Sequence, residues 1–203
     1  ALSSAASDVY KRQISGNADI GFMGSESTIY AYAEGSKDYA VNFAGLTQRA
    51  GNFLVAREKI DNFSWDMVKG KNVLGGRKGG MPQMVLEYIL KANNIDPASD
   101  LSIDQSVDFG LTAGAFSGNT EYDFTVEFEP GATSLEKEGK GYVVASLGVD
   151  SGYVPYTAYS AKKSYIEKNP EIIRDFTSAI QKGLDMSLIH ISEPTRLALI
   201  SYA

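Results

Sequence analysis

The strongest constraint on the fold of this chain is the alternation of short apolar strands with helical segments. Residues 18–23 form an apolar run that ends at Gly24. Residues 81–93 carry apolar side chains at helical spacing, and Pro82 stands in the first turn, where its missing N–H costs nothing. Residues 124–128 alternate like a strand. Strands that alternate with helices predict βαβ units, so we expect an α/β fold with mostly parallel sheets.

In such folds a ligand binds at the carboxyl ends of the strands, where loops meet the N-termini of helices. We therefore expect binding residues in the loops that follow predicted strands. Four loops qualify: residues 23–26, 47–49, 77–82 and 127–129.

The two ends of the chain differ in character from the rest. Residues 3–13 read SSAASDVYKRQ, which is a translation of a transposase sequencing adapter, and residues 187–196 read SLIHISEPTR, which resembles the same adapter end on the opposite strand. We therefore expect residues 1–13 and 187–203 to be adapter-derived tails that make few specific contacts with the body. Such segments are set aside before fold reasoning, which leaves residues 14–186.

The composition excludes several function classes. The chain has no cysteine, and its single histidine, His190, lies in the C-terminal tail. Residues 14–186 therefore lack the usual ligands of zinc, copper and iron and the base of a Ser-His or Cys-His pair, so we expect no metal, no cofactor and no catalytic residue. A net charge of −6 without a basic run argues against nucleic acid as a partner. No apolar run approaches the roughly 20 residues of a membrane span.

Four segments carry a family resemblance. They read ADIGFMGSESTIYAY, GRKGGMPQMVLEYIL, DFTVEFEPGATSLEKEGKGYVVASLG and SGYVPYTAYSAKKSYIEKNPEIIRDFTSAIQKG. These segments resemble the periplasmic-type solute-binding proteins of ABC importers, in the branch that binds sulfonates, nitrate, taurine or thiamine-precursor pyrimidines. The resemblance implies two α/β lobes joined by two crossover segments, with a solute held between the lobes.

The same resemblance implies a division of the chain. Lobe 1 would comprise residues 14–65 and 153–186, lobe 2 would comprise residues 66–152, and the crossovers would lie near residues 50–56 and 151–156. The family's opening strand and helix are absent, so we expect an incomplete first lobe that exposes apolar surface. The family's secretion signal, and a lipid-anchoring cysteine where there is one, would precede residue 14.

The glycine-rich segment 75–80 has two interpretations. Its backbone N–H groups, with Arg77 or Lys78, could bind an anion at the start of the following helix. Alternatively, it is only a tight turn that requires positive φ angles. The first interpretation makes Arg77, Gly79, Gly80 and Met81 candidate ligand-binding residues.

Carboxylates point to the opposite chemistry. Glu127 and Glu129 are two apart on a predicted strand, so their side chains should share a face and could hold an amine or an aminopyrimidine. Alternatively, they form a solvated strand end, or one of them pairs with Arg77. Glu26 follows Gly24 and Ser25; it could contact the ligand or, as its first-turn position favours, stabilise its own helix.

The predicted site combines residues of both lobes. We expect the ligand to lie between residues 24–26 on one side and residues 79–81 with Glu127 on the other, near Tyr156. On this basis Glu127→Gln would weaken an amine ligand, and Arg77→Ala would weaken an anion. The candidate ligand-binding residues are Gly24, Ser25, Glu26, Arg77, Gly79, Gly80, Met81, Glu127 and Tyr156.

The function implied by the resemblance is transport. The protein would be a monomeric, bacterial-type binding protein of the periplasm or of the cell surface, held to the membrane only by a lost lipid anchor. It would deliver a small solute to permease subunits of an ABC importer without chemical change. Two alternatives share the architecture: the ligand-sensing domain of a transcription regulator, and an enzyme like the thiamine-pyrimidine synthases. The enzyme would need a histidine and a cysteine-rich motif that residues 14–186 do not supply.

Overall fold

A computed structural model describes residues 4–108 and 110–186 of the chain. They form eight α-helices, a 3-10 helix at Trp65–Val68 and eight strands. In chain order the elements are α1 (Ser4–Ile14), β1 (Ile20–Gly24), α2 (Glu26–Ala33), β2 (Ala40–Thr47), β3 (Asn52–Ala56), β4 (Asn72–Leu74), α3 (Met81–Ala92), β5 (Ser102–Asp104), α4 (Thr112–Gly118), β6 (Phe124–Phe128), α5 (Gly131–Lys137), β7 (Tyr142–Ser146), α6 (Leu147–Asp150), β8 (Thr157–Lys162), α7 (Lys163–Lys168) and α8 (Pro170–Met186).

The chain divides into two compact units. Unit 1 combines the residues up to Gln48 with those from Pro155 onward, and unit 2 runs from Arg49 to Val154. The α/β class with two units agrees with the expected fold. The first boundary lies earlier than the predicted division at residue 65, because β3 pairs with β6 and β7 of unit 2.

Strand direction differs between the two units. In unit 1 the sheet has the order β1-β8-β2, and β8 is antiparallel to both neighbours. In unit 2 the order is β5-β4-β6-β3-β7; β4 is parallel to β5 and β6, whereas β3 is antiparallel to β6 and β7. The expectation of mostly parallel sheets therefore holds only for β4, β5 and β6. The reason is the path of the chain, since β3 and β8 are the first strands after each crossing between units and run against their neighbours.

The N-terminal helix packs on unit 1. Tyr10 is 6% exposed and Gln13 is fully buried. Gln13 Nε2 donates a hydrogen bond to the Ser160 carbonyl at 2.8 Å. A Cβ at Gly21 would lie 2.7 Å from Val9 Cγ1, so glycine at this position permits the close approach of the helix. The expectation that residues 1–13 make few specific contacts is therefore wrong for residues 9–13.

The physical reason is the spacing of these side chains. Val9, Tyr10 and Gln13 lie on one face of α1, and this face covers β1 beside a small core formed with Met23 and Ala31. The C-terminal tail at 187–203, with His190, lies outside the described residues.

The opposite face of the unit 1 sheet is aromatic and partly open. The rings of Phe22 and Tyr159 lie 4.9 Å apart, and Phe176 of α8 packs on Tyr159 at 5.0 Å. Phe22 is nevertheless 45% exposed, and Ile172 of α8 is 50% exposed. The apolar surface that the sequence predicts for the first lobe is therefore present here.

Unit 2 has a denser core. One side of its sheet packs against α4 and α5 around Phe53, Val55, Leu74, Phe116 and Leu135. Among the helices of the described residues, none is both long enough and apolar enough to cross a bilayer.

Candidate functional site

Four of the predicted site residues meet at one end of the unit 1 sheet. Ser25 follows the last residue of β1, and its backbone N–H donates to the Tyr156 carbonyl at 3.4 Å. The Ser25 hydroxyl donates to the carbonyl of Pro155. Gly24 and Glu26 flank Ser25, so the structure brings Gly24, Ser25, Glu26 and Tyr156 together as the sequence predicts.

Glu26 lies in the first turn of α2 and is only 3% exposed. A Cβ built on Gly24 would overlap the Glu26 carboxylate, so this carboxylate is folded back against the Gly24 backbone. The first-turn position expected for Glu26 is therefore present, and in addition the side chain is buried beside the end of β1. Only glycine at position 24 leaves room for this conformation.

Asn42 of β2 joins these residues, although the sequence analysis did not identify it. Its Nδ2 atom donates to the Ser25 carbonyl and to Thr28 Oγ1, both at 3.0 Å. The Ser25 carbonyl can only accept a hydrogen bond, so this contact requires the NH2 group and fixes the orientation of the amide. The carbonyl oxygen Oδ1 is left over. This oxygen is buried and finds no hydrogen-bond partner among the described residues.

Tyr156 is 6% exposed. Its hydroxyl, too, is buried and has no partner in the part of the chain that the structure describes. Burial raises the pKa of the Tyr156 phenol, and the negative charge of Glu26 raises that pKa further. The phenol therefore stays protonated and can serve as a donor or an acceptor of a hydrogen bond. We call Ser25, Glu26, Asn42 and Tyr156 the Tyr156 cluster.

The glycine-rich turn lies in unit 2, between β4 and α3. Gly76 and Gly79 have φ angles of 75° and 82°, as a tight turn with positive φ angles requires. The N–H of Gly79, which was expected to meet an anion, donates to Gln83 Oε1. Arg77 Nη1 lies 3.4 Å from the Asp108 carboxylate. Acceptors of the protein itself thus occupy two of the donors that an anion would use. Gly80 is the N-cap of α3, and Met81 is its first residue.

Glu127 lies inside unit 2 rather than at an open strand end. It is 2% exposed and accepts hydrogen bonds from Thr125 Oγ1 at 2.7 Å and Thr112 Oγ1 at 3.0 Å. Burial raises the pKa of Glu127, and the two hydroxyl donors lower it by a smaller amount. Thr112 and Thr125 are themselves fully buried. The described contacts of Glu127 therefore join β6 to α4.

Glu129 does not share the environment of Glu127. It is exposed, and its carboxylate accepts from the Thr133 N–H at 3.1 Å and from Thr133 Oγ1 at 2.9 Å in the first part of α5. Because β6 ends at Phe128, the strand alternation that would put Glu129 on the Glu127 side stops one residue too early. The predicted pair of carboxylates on one face is therefore wrong.

Asn52 is a second residue that the sequence analysis missed. It opens β3 opposite Phe128 and is fully buried. Neither its Nδ2 nor its Oδ1 atom has a hydrogen-bond partner within residues 4–108 and 110–186. A polar residue directly before the apolar run Phe53–Ala56 is the signal that could have identified it.

The described part of the chain contains no group of three or more histidine, cysteine, aspartate or glutamate side chains that could hold a metal ion. The buried polar groups described above are suited to hydrogen bonding.

Comparison with known proteins places the chain in a family. A family model described as NMT1/THI5 like matches residues 3–193. The chain belongs to the NMT1/THI5-like family. A curated protein of Bacillus subtilis (strain 168), named "Putative binding protein YtlA", is 50% identical to this NMT1/THI5-like chain over 170 residues. The match covers 84% of this chain and 51% of that protein, so the chain spans about half the length of this curated relative.

Solved structures show the same fold. The periplasmic aliphatic sulphonate binding protein SsuA from Escherichia coli matches with a TM-score of 0.72 at 18% identity, over 98% of this chain and 69% of that one. The periplasmic nitrate-binding protein NrtA from Synechocystis PCC 6803 matches with a TM-score of 0.68 at 16% identity, over 92% of this chain and 52% of that one. At these identities the likeness establishes the fold of this NMT1/THI5-like chain, which is that of periplasmic binding proteins.

Proposed function

We propose that this NMT1/THI5-like protein captures a small solute outside the cytoplasm and delivers it to the permease of an ABC importer. The family membership, the half-identical relative named as a binding protein and the fold shared with SsuA and NrtA support this role. The chain spans about half the length of its curated relative. The proposed role is that of the whole protein.

One observation carries the proposal. In unit 1, Asn42 and Tyr156 both contact Ser25 at one end of the sheet. The Asn42 Oδ1 atom and the Tyr156 hydroxyl are buried and have no hydrogen-bond partner among the described residues. Buried polar groups are nearly always hydrogen-bonded, and leaving one unsatisfied costs about 1–3 kcal/mol. A bound solute that supplies the missing partners would recover this free energy.

The same groups favour binding over catalysis. The raised pKa of Tyr156 makes the phenol a poor base near neutral pH. Glu127 accepts hydrogen bonds from two threonine hydroxyls, and both threonines are fully buried, so these hydroxyls are not exposed to a solute. We therefore propose that the solute leaves the protein chemically unchanged.

The test is a binding screen with the full 203-residue chain. Calorimetry would measure affinity for sulfonates, nitrate, pyrimidines and amines, and mass spectrometry would examine each solute after prolonged incubation. We expect saturable one-to-one binding of at least one solute that is recovered intact. Turnover of a bound solute would contradict the proposal, as would a folded chain that binds no member of the panel.

One substitution extends this test to a single side chain. Tyr156→Phe should weaken binding of the solute, because it removes a hydroxyl that we propose takes part in solute recognition. If the affinity is unchanged, the Tyr156 hydroxyl is structural.

A further inference from the structure

We propose that Arg49 is a clasp that fastens the beginning of unit 2 to its end. Arg49 is the first residue of unit 2, and Tyr153 is its last residue but one. The two connections that lead to unit 1 therefore both leave unit 2 next to this pair of side chains. The inference goes beyond the proposed function, and it does not depend on which solute is bound.

The sheet of unit 2 brings the two segments together. β3 is antiparallel to β7, and Phe53 lies opposite Ser146. In an antiparallel pair, the residues before one strand lie alongside the residues after the other. The residues that precede β3 therefore lie beside α6 and the residues up to Val154, which we call the exit segment. A Cβ at Gly148 of α6 would overlap the Ala50 carbonyl, so glycine at this position permits the close approach of the two backbones.

Arg49 joins the two segments through two contacts. Its Nη1 atom donates a hydrogen bond to the Gly148 carbonyl at 2.9 Å. Its guanidinium carbon lies 4.4 Å from the centre of the Tyr153 ring, which is a cation–π distance. A planar guanidinium can donate in its plane and stack with its face at the same time, so one side chain makes both contacts. Because Tyr153 is 76% exposed, little other packing can hold its ring in place.

The short helix α6 has further anchors that do not involve Arg49. Trp65 Nε1 donates to Asp150 Oδ2 at 3.0 Å, and the Val149 N–H donates to Ser146 Oγ at 3.4 Å. Trp65 is 8% exposed and is the only tryptophan in the sequence. Loss of Arg49 should therefore loosen the exit segment while unit 2 stays folded, and the emission of Trp65 can report whether it does.

Unit 1 holds its own ends of the two connections together in a different way. There the Tyr156 N–H donates to the Thr47 carbonyl at 3.0 Å, which is a backbone contact. In unit 2 the corresponding contact is made by a side chain, Arg49, and a single substitution can remove it. With the clasp closed, the two connections should move together rather than separately.

The test is hydrogen exchange, measured by mass spectrometry on the full 203-residue chain. Two amides report on the exit segment, because the Ser151 N–H donates to the Leu147 carbonyl and the Gly152 N–H donates to the Val149 carbonyl. In Arg49→Ala we expect both amides to exchange about tenfold faster or more, since local opening is no longer opposed by the clasp. Exchange in β3 and β6 and the Trp65 emission maximum should stay as in the wild-type protein.

Two further variants complete the design. Arg174→Ala is the matched control, since Arg174 is an exposed arginine that pairs with Asp175, and it should leave the exchange of the exit segment unchanged. Tyr153→Ala removes the ring that Arg49 contacts, and it should also speed exchange in the exit segment. The double variant of Arg49 and Tyr153 should exchange no faster than Arg49→Ala alone, because either substitution already opens the clasp.

Three results would overturn the clasp. The first is unchanged exchange of Ser151 and Gly152 in a folded Arg49→Ala variant. The second is faster exchange throughout β3 and β6, since Arg49 would then support the whole unit rather than its two ends. The third is an additive effect in the double variant. If the Trp65 emission shows that Arg49→Ala is unfolded, Tyr153→Ala decides by the same two amides, and unchanged exchange there overturns the proposal.

Discussion

Replacing Tyr156 by phenylalanine should move stability and solute affinity in opposite directions. The substitution removes one hydroxyl and keeps the ring that fills the space next to Ser25. In the protein without solute this hydroxyl is buried and has no partner among the described residues. An unsatisfied buried hydroxyl costs about 1–3 kcal/mol, so its removal should stabilise the unliganded protein by up to that amount.

The same free energy fixes the expected loss of affinity. In the wild-type protein, a solute that hydrogen-bonds to the hydroxyl removes this cost of about 1–3 kcal/mol. In Tyr156→Phe the solute gains nothing at this position. The dissociation constant should then rise by about 5- to 150-fold, since 1.4 kcal/mol corresponds to a factor of ten. For a chain of this size, about 1 kcal/mol shifts the melting temperature by roughly 2–4 °C.

The assay pairs thermal unfolding without solute with calorimetry in its presence. Tyr10→Phe is the control, because the Tyr10 hydroxyl is equally buried and finds no partner in the described residues, yet it lies on α1 and outside the Tyr156 cluster. Tyr10→Phe should raise the melting temperature and leave affinity unchanged. The reasoning is refuted if Tyr156→Phe lowers the melting temperature by several degrees, or if both variants bind the solute as the wild-type protein does.

Three further substitutions test neighbouring parts of the structure. Gly24→Ala should weaken solute binding at least tenfold in calorimetry, because the added methyl group displaces the Glu26 carboxylate. Gly45→Ala is the control and should leave the affinity unchanged, because a Cβ at Gly45 meets open space. Gln13→Ala should lower the free energy of unfolding by about 1–3 kcal/mol in a urea titration, since it breaks a buried hydrogen bond between α1 and β8; an unchanged midpoint would contradict the observed packing of α1. Glu127→Gln should stabilise the protein increasingly as pH rises above 4.5, the ordinary pKa of this group. The folded state raises that pKa and so binds the proton more tightly, which adds stability at low pH that is lost as pH rises through the folded pKa. The melting temperatures of wild type and variant are compared between about pH 4 and pH 7. A difference between them that does not change with pH would refute this reasoning.

The fold was accessible from the sequence because local patterns and family segments agree. The apolar run before Gly24 is β1, and the helical spacing after Pro82 is α3. Strand direction was not accessible in the same way, because it depends on where the chain crosses between units. The run Phe53–Ala56 is apolar like a strand, yet nothing in its residues says that it pairs with β6 and β7 in the antiparallel direction.

The grouping of the predicted site residues was accessible where neighbours in sequence are also neighbours in space. Gly24, Ser25 and Glu26 are consecutive, and only their contact with Tyr156 had to come from the fold. Asn42 was missed because an isolated asparagine in a strand has no pattern, and its role depends on which of its amide atoms already have a hydrogen-bond partner. Periodicity specifies the face on which a side chain lies, but it does not specify its hydrogen-bond partners.

The two buried glutamates show why burial alone does not identify a binding residue. Glu127 and Glu26 are almost equally inaccessible, at 2% and 3% exposure. The Glu127 oxygens each accept from a buried threonine hydroxyl, so this carboxylate already has donors within unit 2. The Tyr156 hydroxyl and the Asn42 amide oxygen next to Ser25 are buried as well, but they have no hydrogen-bond partner among the described residues. The contacts of a buried polar group, rather than its burial, therefore decide whether we propose a role for it in solute binding.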